Sequence, residues 1–356
     1  MLRISATEPR YNRPSPICVK LLTFSFMALP KAVVLLILVL LLAGAVFAQG
    51  DDDTIKVDSS IVRLNVGVVD QRGRPITSLN QSNFDVFEDD VKQQITRFEP
   101  TEAPFSVVLM LDMSGSTLSF RPVIKQSAMR FLDALSPDDR VAVVEFYDKI
   151  NLRNDFTSDR KTIMNSIQVS NGRGKTDLYD ALNFSLDKLS KEKSRRKAII
   201  VLTDGVDTAI KDKDRDDLAN LTDDKVPTAL KPETNDTLNK FLNRADAQGV
   251  TVYPLALPTG DPDKLADPTP RQIAMFKAAR QRLQIVADRT GGRLNAINHL
   301  EEMGKLYAEV AADLRTLYTV EYAPTNAKRD GKWRAIRIAV RSPDLISRTR
   351  QGYFAK

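Results

Sequence analysis

The 356-residue sequence contains one cysteine, one histidine and one tryptophan. A lone cysteine, Cys18, permits no internal disulfide, so burial alone must hold the fold together. Its S-P-I-C context also lacks the small residues of a lipoprotein anchor site. A lone histidine, His299, argues against a histidine-based triad and against a zinc site. The lone Trp333 sits in an alternating segment and reads as packing rather than as a binding platform.

Long apolar runs are missing too, with one exception. Lys31 precedes an apolar stretch from Ala32 to Ala48 that ends V-F-A before Gln49, the layout of a secretory signal peptide. It falls a little short of the roughly 20 residues of a comfortable membrane span. Residues 1–48 are therefore read as a targeting segment, with Met27 as an alternative start. An uncleaved anchor at 32–48 in an inner membrane is the competing reading, and the basic residues before the run would then leave the rest facing outward. The expected location is exported: periplasmic, secreted or cell-surface. The formal charge of +6 is mostly a property of that segment, which carries five Lys/Arg and one Glu; without it the chain is +2. A nucleic-acid partner thereby loses its electrostatic argument.

Residues 49–60 read as an acidic linker. In 61–103, Val62, Leu64, Val66 and Val68 alternate with polar or small residues, which predicts a strand with one buried face. From 104 to 316 solid apolar runs (Val107–Leu111, Val141–Phe146, Ala198–Leu202, Val250–Leu257) alternate with helical spacing such as Ile124, Ala128, Phe131 and Leu132. That pattern predicts an α/β, doubly wound, mostly parallel sheet covered by helices on both faces. A final helix at about 300–316 presents Met303, Leu306, Val310 and Leu314. In 317–356, Leu317–Tyr322 and Trp333–Val340 read as strands around an Asp330–Gly331 turn. Each end segment is too short for a self-sufficient sheet. The expectation is that they form one small β-sandwich into which the α/β domain is inserted.

Three loops carry chemistry. Asp112-Met113-Ser114-Gly115-Ser116 follows the first solid run, Thr176 precedes a helix, and Asp204 follows the run 198–202. Ligands of open parallel sheets bind at the carboxyl ends of strands, so these loops can converge on one rim. The order D-x-S-x-S, then Thr, then Asp resembles the metal-ion-dependent adhesion site of von Willebrand factor A domains, over about 104–316. The flanks resemble exported bacterial proteins built around that domain, whose closing R-x-G-Y corresponds to Arg350, Gly352 and Tyr353. The resemblance implies a Rossmann-like fold with Asp112, Ser114, Ser116, Thr176 and Asp204 at a metal. The three hydroxyls would ligate directly and the two carboxylates act largely through water. Hard oxygen donors suit Mg²⁺ or Mn²⁺, with Ca²⁺ fitting less well.

The function this implies is an exported, non-catalytic adhesion or protein-binding module. Its metal would accept an Asp or Glu carboxylate from a protein partner, and a membrane would be involved only if the apolar segment is retained. Two other classes compete. A metal-dependent hydrolase lacks an evident general base beyond the two aspartates, and export speaks against a scaffold subunit that works with an AAA-type ATPase, as some von Willebrand A proteins do, since ATP and such partners are cytoplasmic. Gly174-Lys175-Thr176 imitates a phosphate-binding loop, but the first glycine of that motif is replaced by Val169. Asp207 either lines the site or caps a turn. The charged stretch Asp207–Asp236 reads as a solvated loop that, with Pro258–Pro270, frames the rim.

Overall fold

The computed structural model describes residues 61–101, 103–192, 195–264, 266–297 and 302–355. Cys18, the targeting segment 1–48, the linker 49–60 and His299 lie outside them. Among the described residues no helix is long and apolar enough to cross a membrane.

The chain opens with strands β1 (Val62–Asp70), β2 (Phe84–Glu88), β3 (Val91–Gln93) and β4 (Ile95–Glu99). The α/β portion follows as β5 (Phe105–Asp112), α1 (Arg121–Ala134), β6 (Arg140–Phe146), β7 (Ile150–Thr157), α2 (Arg160–Val169) and α3 (Leu178–Leu189). It continues with β8 (Arg196–Thr203), α4 (Thr208–Leu218), α5 (Asp236–Gln248), β9 (Thr251–Ala256), α6 (Pro270–Thr290), β10 (Asn295–Ala296) and α7 (Met303–Arg315). Strands β11 (Leu317–Tyr322), β12 (Trp333–Val340), β13 (Leu345–Arg348) and β14 (Gly352–Phe354) close it.

The solid apolar runs build a six-stranded sheet in the order β10-β9-β8-β5-β6-β7. Only β7 runs antiparallel to its neighbour. Both faces are covered, which is why alternation is lost. Val107, Leu109 and Leu111 pack with Ile124 and Phe131 of α1 and Tyr307 and Val310 of α7. Val108 and Met110 point the other way, to Leu182 of α3, Phe241 of α5 and Val286 of α6. Each such fully buried side chain contributes about 1.5–3 kcal/mol.

The two end segments share two further sheets, β13-β1-β11-β4 and β14-β12-β2-β3. Leu64 and Val66 of β1, Val86 of β2, Val320 of β11 and Ile338 of β12 meet in one apolar core between them. The strands around Asp330–Gly331 exist as expected, but they are not a hairpin. β11 pairs with β1 and β4, whereas β12 pairs with β2 and β14. A hairpin would set Val320 and Ile338 side by side in one sheet; instead segment 323–332 crosses over and they face each other across the core. Gly331, at φ +70°, donates its N–H to the Ala355 carbonyl rather than closing a two-strand turn.

Arg196 holds the two crossings between sandwich and α/β portion. Its fully buried guanidinium donates to the carbonyls of Thr101, Ala103 and Leu317 and lies 4.0 Å from the centre of the Phe105 ring. The R-x-G-Y ending has a physical reason as well. Arg350 donates to the Asp246 carbonyl and carboxylate on α5, which Arg289 of α6 also binds. Tyr353 donates to the buried Glu88 at 3.0 Å. A Cβ on Gly352 would stand 2.3 Å from the Arg334 carbonyl oxygen, so no larger residue fits there.

The stretch after Asp204 corrects the sequence reading. Residues 207–236 are not a solvated loop: α4 occupies the first part and buries Ile210, Asp214 and Leu218. Asp214 is held by Arg282 of α6 through two 2.7 Å hydrogen bonds. Beyond α4, Leu218 and Val226 pack on Ala274, and Arg271 binds the carbonyls of Leu218 and Leu221. The interspersed charges hid an amphipathic helix whose inward acid is paired.

Candidate metal centre

The site begins where β5 and β8 end. Their parallel register pairs Leu111 with Leu202, which sets Asp112 beside Thr203. The Thr203 hydroxyl donates to Asp112 Oδ2 at 2.8 Å and accepts the Gly205 N–H at 3.0 Å. Asp112 Oδ1 accepts the Ser114 N–H at 3.0 Å, bending the chain back over the carboxylate. The Thr117 hydroxyl donates to the Asp112 and Ser114 carbonyls and closes the turn. These bonds leave the Ser114 and Ser116 hydroxyls 3.2 Å apart, the first buried and the second exposed.

Thr176 reaches the same rim from the segment before α3. Gly174, at φ +108°, turns that loop so that its carbonyl accepts the Gly115 N–H at 3.1 Å. Thr176 is then fixed from the other side: its N–H donates to the Thr208 hydroxyl and its carbonyl accepts the Thr208 N–H, both at 2.9 Å. Asp204 follows β8 and is 3% exposed. Its Oδ1 accepts the Val206 N–H at 3.0 Å, and the Ser116 side chain is close enough to its carboxyl to favour the ionised form. The 258–264 segment abuts it, since a Cβ on Gly260 would stand 2.0 Å from the Asp204 carbonyl oxygen.

All five residues singled out in the sequence thus lie at a strand end or on the adjoining segments, joined by hydrogen bonds at one end of the sheet. Asp207 does something else. Its carboxylate accepts the Ile210 N–H at 3.2 Å and the Tyr179 N–H at 3.3 Å, capping α4 and tying it to α3. The sequence reading missed Thr203, Thr117 and Arg121. Thr203 had a local signal, a hydroxyl directly before Asp204 at a strand end. Arg121 had none, because three of its four partners are backbone carbonyls.

The electrostatics are unusual for a structural turn. Burial, and then the neighbouring Asp204, push the Asp112 carboxyl well above its ordinary value. Burial also raises Asp204, against the opposing hydrogen bonds from Ser116 and Val206 and the charge of Lys211. Among the described residues neither carboxylate forms an ion pair. Two buried acids in one low-dielectric pocket have no ion-pair partner among the described residues, so ionising both is costly unless a cation joins them. Among the described residues no three His, Cys, Asp or Glu side chains gather, so a cation here would rest on hydroxyls as well as carboxylates. An all-oxygen set of this kind fits a hard divalent ion.

Residues 107–206 match the family model of the von Willebrand factor type A domain. The chain contains such a domain, and its sheet and helices have that domain's α/β architecture. An uncharacterized protein of Synechocystis sp. is 31% identical over 107 residues, 29% of this chain, and the match spans only 25% of that protein's length. Among solved structures, a von Willebrand factor type A protein from Catenulispora acidiphila aligns at 13% identity and TM-score 0.45, over 85% of this chain and 64% of its own. The vWF domain of the type V pili tip protein Mfa5 from Porphyromonas gingivalis aligns at 16% identity and TM-score 0.42, over 59% of this chain and 94% of its own. Proximal thread matrix protein 1 from the mussel byssus, with a zinc-occupied MIDAS motif, aligns at 15% identity and TM-score 0.43, over 62% and 47%.

Proposed function

We propose that the protein is an exported, non-catalytic binding module that captures an acidic residue of a protein partner at the rim formed by Asp112, Ser114, Ser116, Thr176 and Asp204. The observation that carries this reading is the pair of buried carboxylates, free of ion pairs among the described residues and bracketed by hydroxyls. When bound, Mg²⁺ or Mn²⁺ would supply an electrophilic position for the partner's carboxylate. Ser114, Ser116 and Thr176 would hold it with neutral oxygens. Asp112 and Asp204 would orient those hydroxyls and balance the charge from behind. Because the closest donors are neutral, the cation would keep affinity for an external anion. The apolar run 32–48 supports export, and domain limits of 61–103, 104–316 and 317–356 follow the change from sandwich to α/β and back.

The test is capture from an envelope extract on immobilised protein in Mg²⁺ and in EDTA, comparing wild type with Asp112→Ala, alongside calorimetric titration with Mg²⁺ alone. Partners released by EDTA and absent from the variant are expected. Partners retained equally in all conditions would rule the reading out.

A further inference from the structure

Outside the five rim residues, one side chain touches both loops that carry the site. Arg121, at the start of α1, donates from Nη2 to the carbonyls of Met113 at 2.8 Å and Ser114 at 3.3 Å on the serine loop. The same nitrogen donates to the Gly172 carbonyl at 2.5 Å, and Nη1 donates to Asn171 Oδ1 at 2.6 Å, on the loop leading to Thr176. Glu145, fully buried on β6, completes the arrangement. Its Oε2 accepts the Asn171 N–H at 2.9 Å, while Asn151 and Arg153 bind its Oε1. Among the described residues the two loops also share one backbone hydrogen bond, from the Gly115 N–H to the Gly174 carbonyl.

We propose that Arg121 is a positioning residue that locks the serine loop to the threonine loop, so that the hydroxyl set is assembled before any cation arrives. This rests on the proposed cation reading. Geometry and charge push in opposite directions here, which makes the claim sharp. A guanidinium close enough to Asp112 to feel its charge repels a cation bound beside it. If Arg121 acted only through charge, removing it would strengthen cation binding. As a lock, removing it weakens binding, and a rigid planar fork that serves four acceptors is not replaced by an ammonium.

The experiment compares wild type with Arg121→Ala, Arg121→Lys and Arg121→Gln. Calorimetry measures the Mg²⁺ and Mn²⁺ dissociation constants, and amide hydrogen exchange is followed at Gly115 in EDTA. The expected result is a roughly 10–100-fold weaker cation affinity for Arg121→Ala, as for other residues that orient ligands from behind. Arg121→Lys and Arg121→Gln should each recover only part of it. Gly115 exchange should quicken in all three, with amides of β5 unchanged. Tighter or unchanged cation binding in Arg121→Ala, or full recovery by Arg121→Lys, would overturn the lock. If wild type itself bound no cation, the function reading would fail. Gly115 exchange would still decide whether Arg121 joins the loops.

Discussion

Replacing Asp112 by Asn keeps the shape of the rim and removes one of its two buried carboxyl groups. In EDTA the consequence should be a gain in stability. Asp112 is fully buried, and its proton affinity is raised by burial and by Asp204, so its ionised form is a liability in the folded state. Each unit of such a shift corresponds to about 1.4 kcal/mol. Relief of about 1–3 kcal/mol is the expected scale, less the weakening of the bond from Thr203. At about 2–4 °C per kcal/mol for a domain of this size, Asp112→Asn should melt several degrees above wild type at neutral pH in EDTA. The pH dependence has a defined sign. A folded-state pKa above the unfolded value contributes stability that is complete below the ordinary Asp range and lost as pH rises through the folded value. Wild type in EDTA should therefore lose more melting temperature between pH 5 and pH 7.5 than the variant does. Mg²⁺ at about 1,000 times its Kd should reverse the ranking, because it adds about 4.1 kcal/mol to wild type alone. Circular dichroism melts of both proteins, in EDTA and in Mg²⁺, give all the comparisons. A variant less stable than wild type in EDTA, with an unchanged response to Mg²⁺, would refute the claim that these acids are held in deficit of positive charge.

Three other substitutions test the frame around the site. Thr203→Val should cost about 2–4 kcal/mol in urea unfolding, since it removes a hydrogen bond to a buried carboxylate and orphans the Gly205 N–H; a cost under 0.5 kcal/mol would deny Thr203 that role. Arg282→Met should cost about 3–5 kcal/mol by leaving Asp214 buried and unpaired, and adding Asp214→Leu should restore most of it; additive losses in the double variant would contradict the pairing. Gly352→Ala should cost about 1–3 kcal/mol through the clash with the Arg334 carbonyl and the Trp333 ring, with wild-type stability counting against the R-x-G-Y explanation.

The fold was legible where burial leaves a periodic trace. Val107–Leu111 and Ala198–Leu202 lost alternation because helices cover both faces, and the structure shows those two layers. Pairing partners left no such trace. Nothing in Val320 or Ile338 shows that they face each other across a core instead of standing side by side, so the sequence left open that these two strands lie in different sheets. Composition misled at 207–218, where acids and lysines dominate yet Asp214 points inward to Arg282, about 70 residues away in sequence. The five residues proposed for the rim stood out because they are side-chain oxygens in a fixed order, after two strands and before one helix, and the structure brings their segments to one end of the sheet. Arg121 was not, because the carbonyls of Met113, Ser114 and Gly172 look alike in any sequence.

The two ends of β8 have opposite duties. At its start Arg196 gathers the carbonyls of Thr101, Ala103 and Leu317, so both crossings to the sandwich lie at that end of the sheet. At its finish Thr203 binds Asp112 and hands the chain to Asp204. A strand rises about 3.3 Å per residue, so these ends are separated by roughly 20–25 Å. The sandwich is fastened at the opposite end of β8 from the rim, and the rim is framed by short turns anchored to the α/β layers. Gly260 against the Asp204 carbonyl is one such anchor, and Gly174 against Gly115 is another. Ser116, the exposed hydroxyl of the set, therefore stands at the end of the sheet opposite the Arg196 fastening. A shift in the sandwich should leave cation affinity unaltered as long as the Arg196 fastening stays in place.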